Sequence, residues 1–212
     1  MIRRFDGNVC SDRTDIVIEA FPRSANTYCV AAIRTLSKDQ LSIASHMHSA
    51  AQFELANRLN KPALLIVREP EGAISSLSIR RPLVKKRRLI KEYISFHKQI
   101  LPLIAEGKVV VVSFDDLVGD KFLLPEIAKD ILSINIECFS VSPEDFDTKV
   151  IELVEKMEQQ DSGGTIRETH VARPSEARTK IKENVIEELL KEKELMEEAQ
   201  YIYKFMNNFI GS

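Results

Sequence analysis

The sequence predicts an α/β fold: a parallel sheet of about four or five strands with helices on both faces. Three observations carry this. Wholly apolar runs at Ile16–Ile18, Ala63–Val67 and Val109–Val112 are too short for helices. They lack polar alternation, as strands buried on both faces do. Between them lie segments with apolar residues at helical spacing, such as Val30, Ile33 and Leu36. Neither an internal repeat nor a heptad pattern competes with this alternation.

The chain has 212 residues, which suits one domain, and 44% of them are hydrophobic, enough for a core. The expected division is a single domain over 1–212: a core at about 14–160, a basic loop at 161–180 and a C-terminal helical part at 181–210. A formal net charge of −2 points away from nucleic acid, so any anion site must come from local charge. Cys10, Cys29 and Cys138 are odd in number and widely spaced without a Cys-x-x-Cys pair. They fit thiols of a reducing compartment rather than a disulfide framework or a zinc site. Residues 1–12 lack the apolar centre of a signal peptide, and no run approaches the roughly 20 residues of a membrane span. The expectation is a soluble, cytoplasmic protein.

The most informative stretch runs from Thr14 to Leu36. A short strand is ended by Pro22, which cannot donate to a ladder. A helix then opens on Ser24, Asn26 and Thr27, where N–H groups lack intrahelical partners. With Arg23 beside them, these groups and the helix dipole make an anion site.

Leu41–Ser45 reads as the next strand, with His46 and His48 at its end and Ser49 capping a helix through Leu59. In open α/β sheets, ligands collect outside the carboxyl ends of strands, which puts both histidines beside the Arg23 loop. Two histidines at i and i+2 would also suit a metal, but no third ligand is near in sequence, and no metal is expected. After strand Ala63–Val67, Arg68-Glu69-Pro70-Glu71-Gly72 leads into a helix from Ala73. Arg80, Arg81, Lys85, Lys86, Arg87, Arg88 and Lys91 follow with no acid among them: either a solvated face or a positive rim for an anionic ligand. Leu89, Tyr93, Phe96, Ile100, Leu103 and Ile104 form the buried stripe of a helix that Gly107 ends.

Lys108–Leu117 reads as a further buried strand, Phe122–Ile134 as a helix on the sheet, and Pro143–Gln160 as a helix capped by Ser142. From Thr165 to Lys180 there is little periodicity, but Arg167, His170, Arg173, Arg178 and Lys180 supply positive charge. Ile181–Phe209 is one long amphipathic helix or a pair of them.

The Arg23 loop is not a Walker A loop, which needs Gly-x-x-x-x-Gly-Lys-(Ser/Thr), because no glycine lies between Asn8 and Glu71. It resembles instead the 5′-phosphosulfate loop of P-loop sulfotransferases, (Tyr/Phe)-Pro-(Lys/Arg)-Ser-Gly-(Thr/Asn)-Thr-(Trp/Tyr/Phe). Phe21, Pro22, Arg23, Ser24, Asn26, Thr27 and Tyr28 match, and Ala25 replaces the usual glycine. Arg68, with Ser76 eight positions on, resembles the pair with which this family holds a 3′-phosphate, although Gly72 stands where Asp is common. Ala44-Ser45-His46 is similar to the Lys-Thr-His that carries the family's general base, with His48 in reserve. The strand ending Phe114-Asp115-Asp116-Leu117 also resembles a family element.

The resemblance implies a P-loop NTPase-like three-layer sandwich with a helical C-terminal extension. It implies transfer of a sulfuryl group from 3′-phosphoadenosine 5′-phosphosulfate (PAPS) to a hydroxyl, or less readily an amine, of a small-molecule or carbohydrate acceptor, with PAP as product and no metal. Arg23, Ser24, Ala25, Asn26, Thr27 and Tyr28 would hold the 5′ end, Arg68 and Ser76 the 3′-phosphate, and Arg173 and Arg178 a closing basic loop. His46 or His48 would be the base, and Arg23 would stabilise the leaving group. Two alternatives stay open. One is a Mg-dependent kinase or NTPase using Asp115 or Asp116 at a Walker B-like strand end. The other is a non-catalytic nucleotide-binding scaffold partnered through the C-terminal helix.

Overall fold

The computed structural model describes residues 9–37, 41–119, 124, 127, 143–161 and 176–210. Four strands, β1 (Ile16–Ala20), β2 (Ile43–Ser45), β3 (Ala63–Val67) and β4 (Val110–Ser113), form an all-parallel sheet in the order β2-β1-β3-β4. Ile16 pairs with Ile43, Ile18 with Leu64 and Leu65 with Val111. Every residue of β1 and β3 is buried, which explains their unbroken apolar character.

Eight helices are described: α1 (Asn26–Leu36), α2 (Ala51–Arg58), α3 (Pro70–Arg80), α4 (Lys86–Ala105), α5 (Phe114–Gly119), α6 (Pro143–Asp161), α7 (Glu176–Leu190) and α8 (Lys193–Asn207). Alternation along the strands divides the core in two. Ile16, Ile18, Leu64, Ile66 and Val112 face α1 and α6, packing on Val30, Ile33 and Val150. Val17, Phe21, Leu65, Val67 and Val111 face the other way, against Phe53, Ile74, Tyr93, Ile100, Met196 and Met206 of α2, α3, α4 and α8. The result is three layers, and each fully buried Ile, Leu or Phe contributes about 1.5–3 kcal/mol by leaving water.

Several boundaries depart from expectation for local reasons. The fourth strand stops at Ser113, not Leu117: the Ser113 Oγ accepts the N–H groups of Asp115 (3.1 Å) and Asp116 (3.4 Å) and starts α5. Helix α3 starts at Pro70 rather than Ala73, because proline suits a first turn whose N–H needs no partner. Strand β2 spans only Ile43–Ser45. The C-terminal part is a pair of helices, and α7 begins at Glu176, five residues before Ile181. The expected helix at 122–134 lies outside the described residues except for Leu124 and Ile127, both buried on the α1 side. Ser142, Cys138 and residues 162–175 also lie outside them.

Helix α2 has Ala50 rather than Ser49 at its N-cap and no side-chain cap, although the Ser49 Oγ accepts the Ala51 N–H (3.3 Å) just before it. At the end of α4 the expectation holds. Gly107, with φ 67°, closes α4: its N–H donates to the Ile104 carbonyl (2.9 Å) and that of Lys108 to Leu103 (2.9 Å), a Schellman end that needs a left-handed residue. Two residues of the basic run meet acids of the C-terminal part, as does Lys98 beyond the run. Lys86 pairs with Glu188 (2.9 Å), Arg87 with Glu192 (2.6 Å) and Lys98 with Glu198. Arg81 and Arg88 share Glu92. These contacts are exposed and screened by solvent, so they orient α7 and α8 on α4 more than they stabilise the fold. Among the described residues, no helix is long and apolar enough to cross a membrane.

One core residue carries a pH signature. His97 is fully buried among Phe21, Tyr93 and Phe96, and its Nδ1 donates to the Tyr93 carbonyl (2.9 Å). Burial pushes its pKa down to about 3, so it folds neutral. Unfolding restores an ordinary value near 6.5, and the unfolded chain then binds the extra proton in between. Stability from this group therefore falls as pH drops below about 6.5. Between pH 7 and pH 5, wild type should lose about 2 kcal/mol more than His97→Phe. Urea unfolding of both proteins at the two pH values measures the difference, and other titrating groups cancel in it. Equal losses would show that His97 is protonated in the fold.

Candidate active site

The order β2-β1-β3-β4 puts the topological switch between β1 and β3, and the expected ligand crevice lies at their carboxyl ends. Phe21 to Ala25 leaves β1 there, and Arg68 leaves β3. Phe21 anchors the loop from below, its ring edge-on to Tyr93 at 5.0 Å. No side chain caps α1: its N-cap residue, Ala25, is left-handed (φ 62°) and makes no side-chain hydrogen bond. The N-terminal dipole of α1 thus faces the loop without a side-chain cap. The Ser24 Oγ is buried without a hydrogen-bond partner, a donor that an anion entering the loop would satisfy.

The backbone is strained here. Among the described residues, five non-glycine residues have positive φ, and four of them are Arg23, Ala25, His46 and His48. Each costs about 1–2 kcal/mol for an L-residue. The position where the resembled loop carries glycine is thus held left-handed by alanine. Left-handed turns at Arg23 and Ala25 also belong to the backbone pattern of anion-binding nests.

The two expected anion sites are in contact. Arg23 Nε donates to Ser76 Oγ (3.1 Å), and Arg68 Nη1 donates to the Arg23 carbonyl (2.7 Å). The Arg68 guanidinium lies 3.9 Å from the centroid of the Phe114 ring, a cation–π contact. Tyr93 Oη donates to the Arg68 carbonyl (2.7 Å). Burial lowers the Arg68 pKa, and the charges of Glu69 and Asp115 oppose that shift. Gly72 belongs to this cluster too, since a Cβ there would approach Glu69 Oε1 and Arg68 Nε.

His46 and His48 follow β2, their ring centroids 6.2 Å apart. Both ring nitrogens of His46 meet hydroxyls: Nδ1 that of Ser45 (2.9 Å) and Nε2 that of Thr27 (3.1 Å). The Thr27 contact joins the histidine segment to the first turn of α1. His48 Nδ1 lies 2.8 Å from the Ala20 carbonyl oxygen. A carbonyl only accepts, so Nδ1 carries the proton, and the neutral ring holds its lone pair on Nε2. The His48 side chain is about 30% exposed.

The sequence reading missed Glu19. It is fully buried, and its oxygens accept the N–H groups of Met47 (2.8 Å) and His48 (3.0 Å) and the Asn26 amide (3.5 Å). Burial pushes its pKa up to about 7, against hydrogen bonds from the Met47, His48 and Ala20 amides and from Gln52, which pull it down. The available signal was an acid inside the otherwise apolar strand Ile-Val-Ile-Glu-Ala.

Arg23, Ser24, Ala25, Asn26, Thr27, His46, His48, Arg68 and Ser76 therefore occupy one end of the sheet. Tyr28 is partly buried against the α1-side core. Arg173 lies outside the described residues. Arg178 falls in the first turn of α7, and its side chain lies outside what is described. Asp115 and Asp116 sit in the first turn of α5. Among the described residues, no group of three or more His, Cys, Asp or Glu could hold a metal ion.

No family model matches the chain, and no curated protein matches it in sequence. Among solved structures it is similar to the crystal structure of mouse sulfotransferase SULT7A1 complexed with PAP. The TM-score is 0.50 at 10% identity, over 89% of this chain and 87% of that one. The chain has a sulfotransferase-like fold.

Proposed function

We propose that the protein is a PAPS-dependent sulfotransferase. The observation that carries this is the joining of the Arg23 loop, the N-terminus of α1 and the Arg68–Ser76 pair at the β1/β3 switch. PAPS presents a 5′-phosphosulfate and a 3′-phosphate, and such a substrate needs two adjoining positive subsites. The residues present fit it: a buried, partnerless Ser24 hydroxyl, an α1 without a side-chain cap, and two arginines joined by the bond from the Arg68 guanidinium to the Arg23 carbonyl.

When bound, PAPS supplies an activated sulfuryl group and a phosphate leaving group. Arg23, Ser24 and the amides of Ala25 to Tyr28 hold the phosphosulfate. Arg68 and Ser76 hold the 3′-phosphate, and Arg173 and Arg178 are the candidates to close over it. Arg23 offsets the charge that builds on the leaving oxygen as the S–O bond breaks. A histidine takes the acceptor's proton as its oxygen bonds to sulfur. The resembled motif favours His46, but the tautomer of His48, with its lone pair on Nε2, favours His48. The acceptor is a small-molecule or carbohydrate hydroxyl, or an amine, and the reaction proceeds in line without a metal.

Calorimetric titration with PAPS and with ATP, each with Mg²⁺ and with EDTA, tests this reading. PAPS should bind equally well under both conditions, and ATP should bind weakly. ATP binding that appears only with Mg²⁺ would favour a kinase acting through Asp115 or Asp116.

A further inference from the structure

We infer that Glu19 is the positioning residue that holds His48 in the tautomer and place from which it takes the acceptor's proton. The chemistry in this inference rests on the sulfotransferase reading, whereas the geometry does not. Glu19 gathers donors from three elements: the Met47 and His48 amides after β2, Asn26 at the start of α1, and the Gln52 side chain of α2. An unpartnered carboxylate buried in an apolar strand costs several kcal/mol, and these donors offset that cost. They also fasten the His46–His48 segment, left-handed at both its histidines, to the helix that follows the Arg23 loop.

Two atoms make the role specific to His48. Glu19 Oε2 accepts the His48 amide and lies 3.9 Å from His48 Nδ1. The same Nδ1 donates to the Ala20 carbonyl, one residue along from Glu19. The carboxylate and the carbonyl both favour a proton on Nδ1. When Nε2 takes the acceptor's proton, the carboxylate faces the imidazolium that forms. A glutamine at this place would offer one oxygen and turn an NH₂ group toward a backbone N–H. It would keep the volume and lose both the charge and one acceptor.

Glu19→Gln and Glu19→Asp test this beside wild type. PAP release from PAPS is followed with a panel of simple phenols and alcohols as acceptors, and with water in their absence. Imidazole ¹⁵N chemical shifts read the tautomer of His48 in the absence of substrate. Wild type should show His48 with its proton on Nδ1. Glu19→Gln leaves the Ala20 carbonyl as the acceptor for Nδ1 but loosens the segment that holds the ring on it, so it should raise the share of the Nε2-protonated tautomer and lower kcat by about 10- to 100-fold, the size usual when the partner orienting a functional histidine is removed. KM for PAPS and the Kd of PAP should stay within about threefold. Glu19→Asp, which keeps the charge, should recover part of kcat.

A wild-type His48 protonated on Nε2 would overturn the inference, as would a Glu19→Gln enzyme with full kcat and an unchanged tautomer. If Glu19→Gln fails to fold, the wild-type tautomer and Glu19→Asp decide. Failure of wild type to bind PAP would instead overturn the sulfotransferase reading, and the ¹⁵N measurement would still decide what Glu19 does.

Discussion

Arg68→Ala should lose most of its affinity for PAP, by about 10- to 100-fold, with far less loss for AMP. A charge-assisted hydrogen bond contributes about 1.5–3 kcal/mol, which is that range of fold-change. PAP and AMP differ only in the 3′-phosphate, so the difference between their losses isolates the group that Arg68 is proposed to hold. The structure adds a second consequence. Arg68 also donates to the Arg23 carbonyl and stacks on Phe114, so its removal loosens the Arg23 loop and costs AMP something as well. Arg68→Lys keeps a charge without the planar fork and should fall between the two. Calorimetry on the three proteins separates these effects. Equal losses for PAP and AMP would reduce Arg68 to a support for the loop.

His48→Ala should lower PAP release from PAPS by on the order of 10²–10⁴, the usual worth of a general base, with PAP affinity within a few-fold of wild type. A hydroxyl attacks poorly while it keeps its proton, and an imidazole titrates near neutrality. His46→Ala should cost less turnover and more binding, because His46 bridges the hydroxyls of Ser45 and Thr27 at the start of α1. Turnover lost in His46→Ala and kept in His48→Ala would restore the assignment that the resembled motif favours. Full turnover in both would place the base outside this segment.

Much of the fold is legible because its signals are local. The unbroken apolar runs of β1 and β3 require burial on both faces, and Gly107 marks the one place where α4 needs a left-handed end. The turn at Arg23 between β1 and α1 was legible from residue order alone. Other features were hidden for physical reasons. The four valines before Ser113 hide the cap that turns Phe114 to Leu117 into a helix. Two residues of the basic run, Lys86 and Arg87, find their partners about 100 residues away, at Glu188 and Glu192, a pairing that spacing cannot express. That Arg23 would bond Ser76, and Arg68 the Arg23 carbonyl, depends on strand order rather than on sequence interval. Glu19 reads as a lone interruption of a strand, and its meaning appears only when the amides of Met47 and His48 arrive.

The central claim is that this end of the sheet recognises a nucleotide carrying a 3′-phosphate. Calorimetric titration of the wild-type protein with PAP and with AMP, at one salt concentration and in EDTA, tests it most directly. The account predicts PAP binding at least about tenfold tighter than AMP, the size of one charge-assisted contact or more. Equal affinities for the two nucleotides would contradict it.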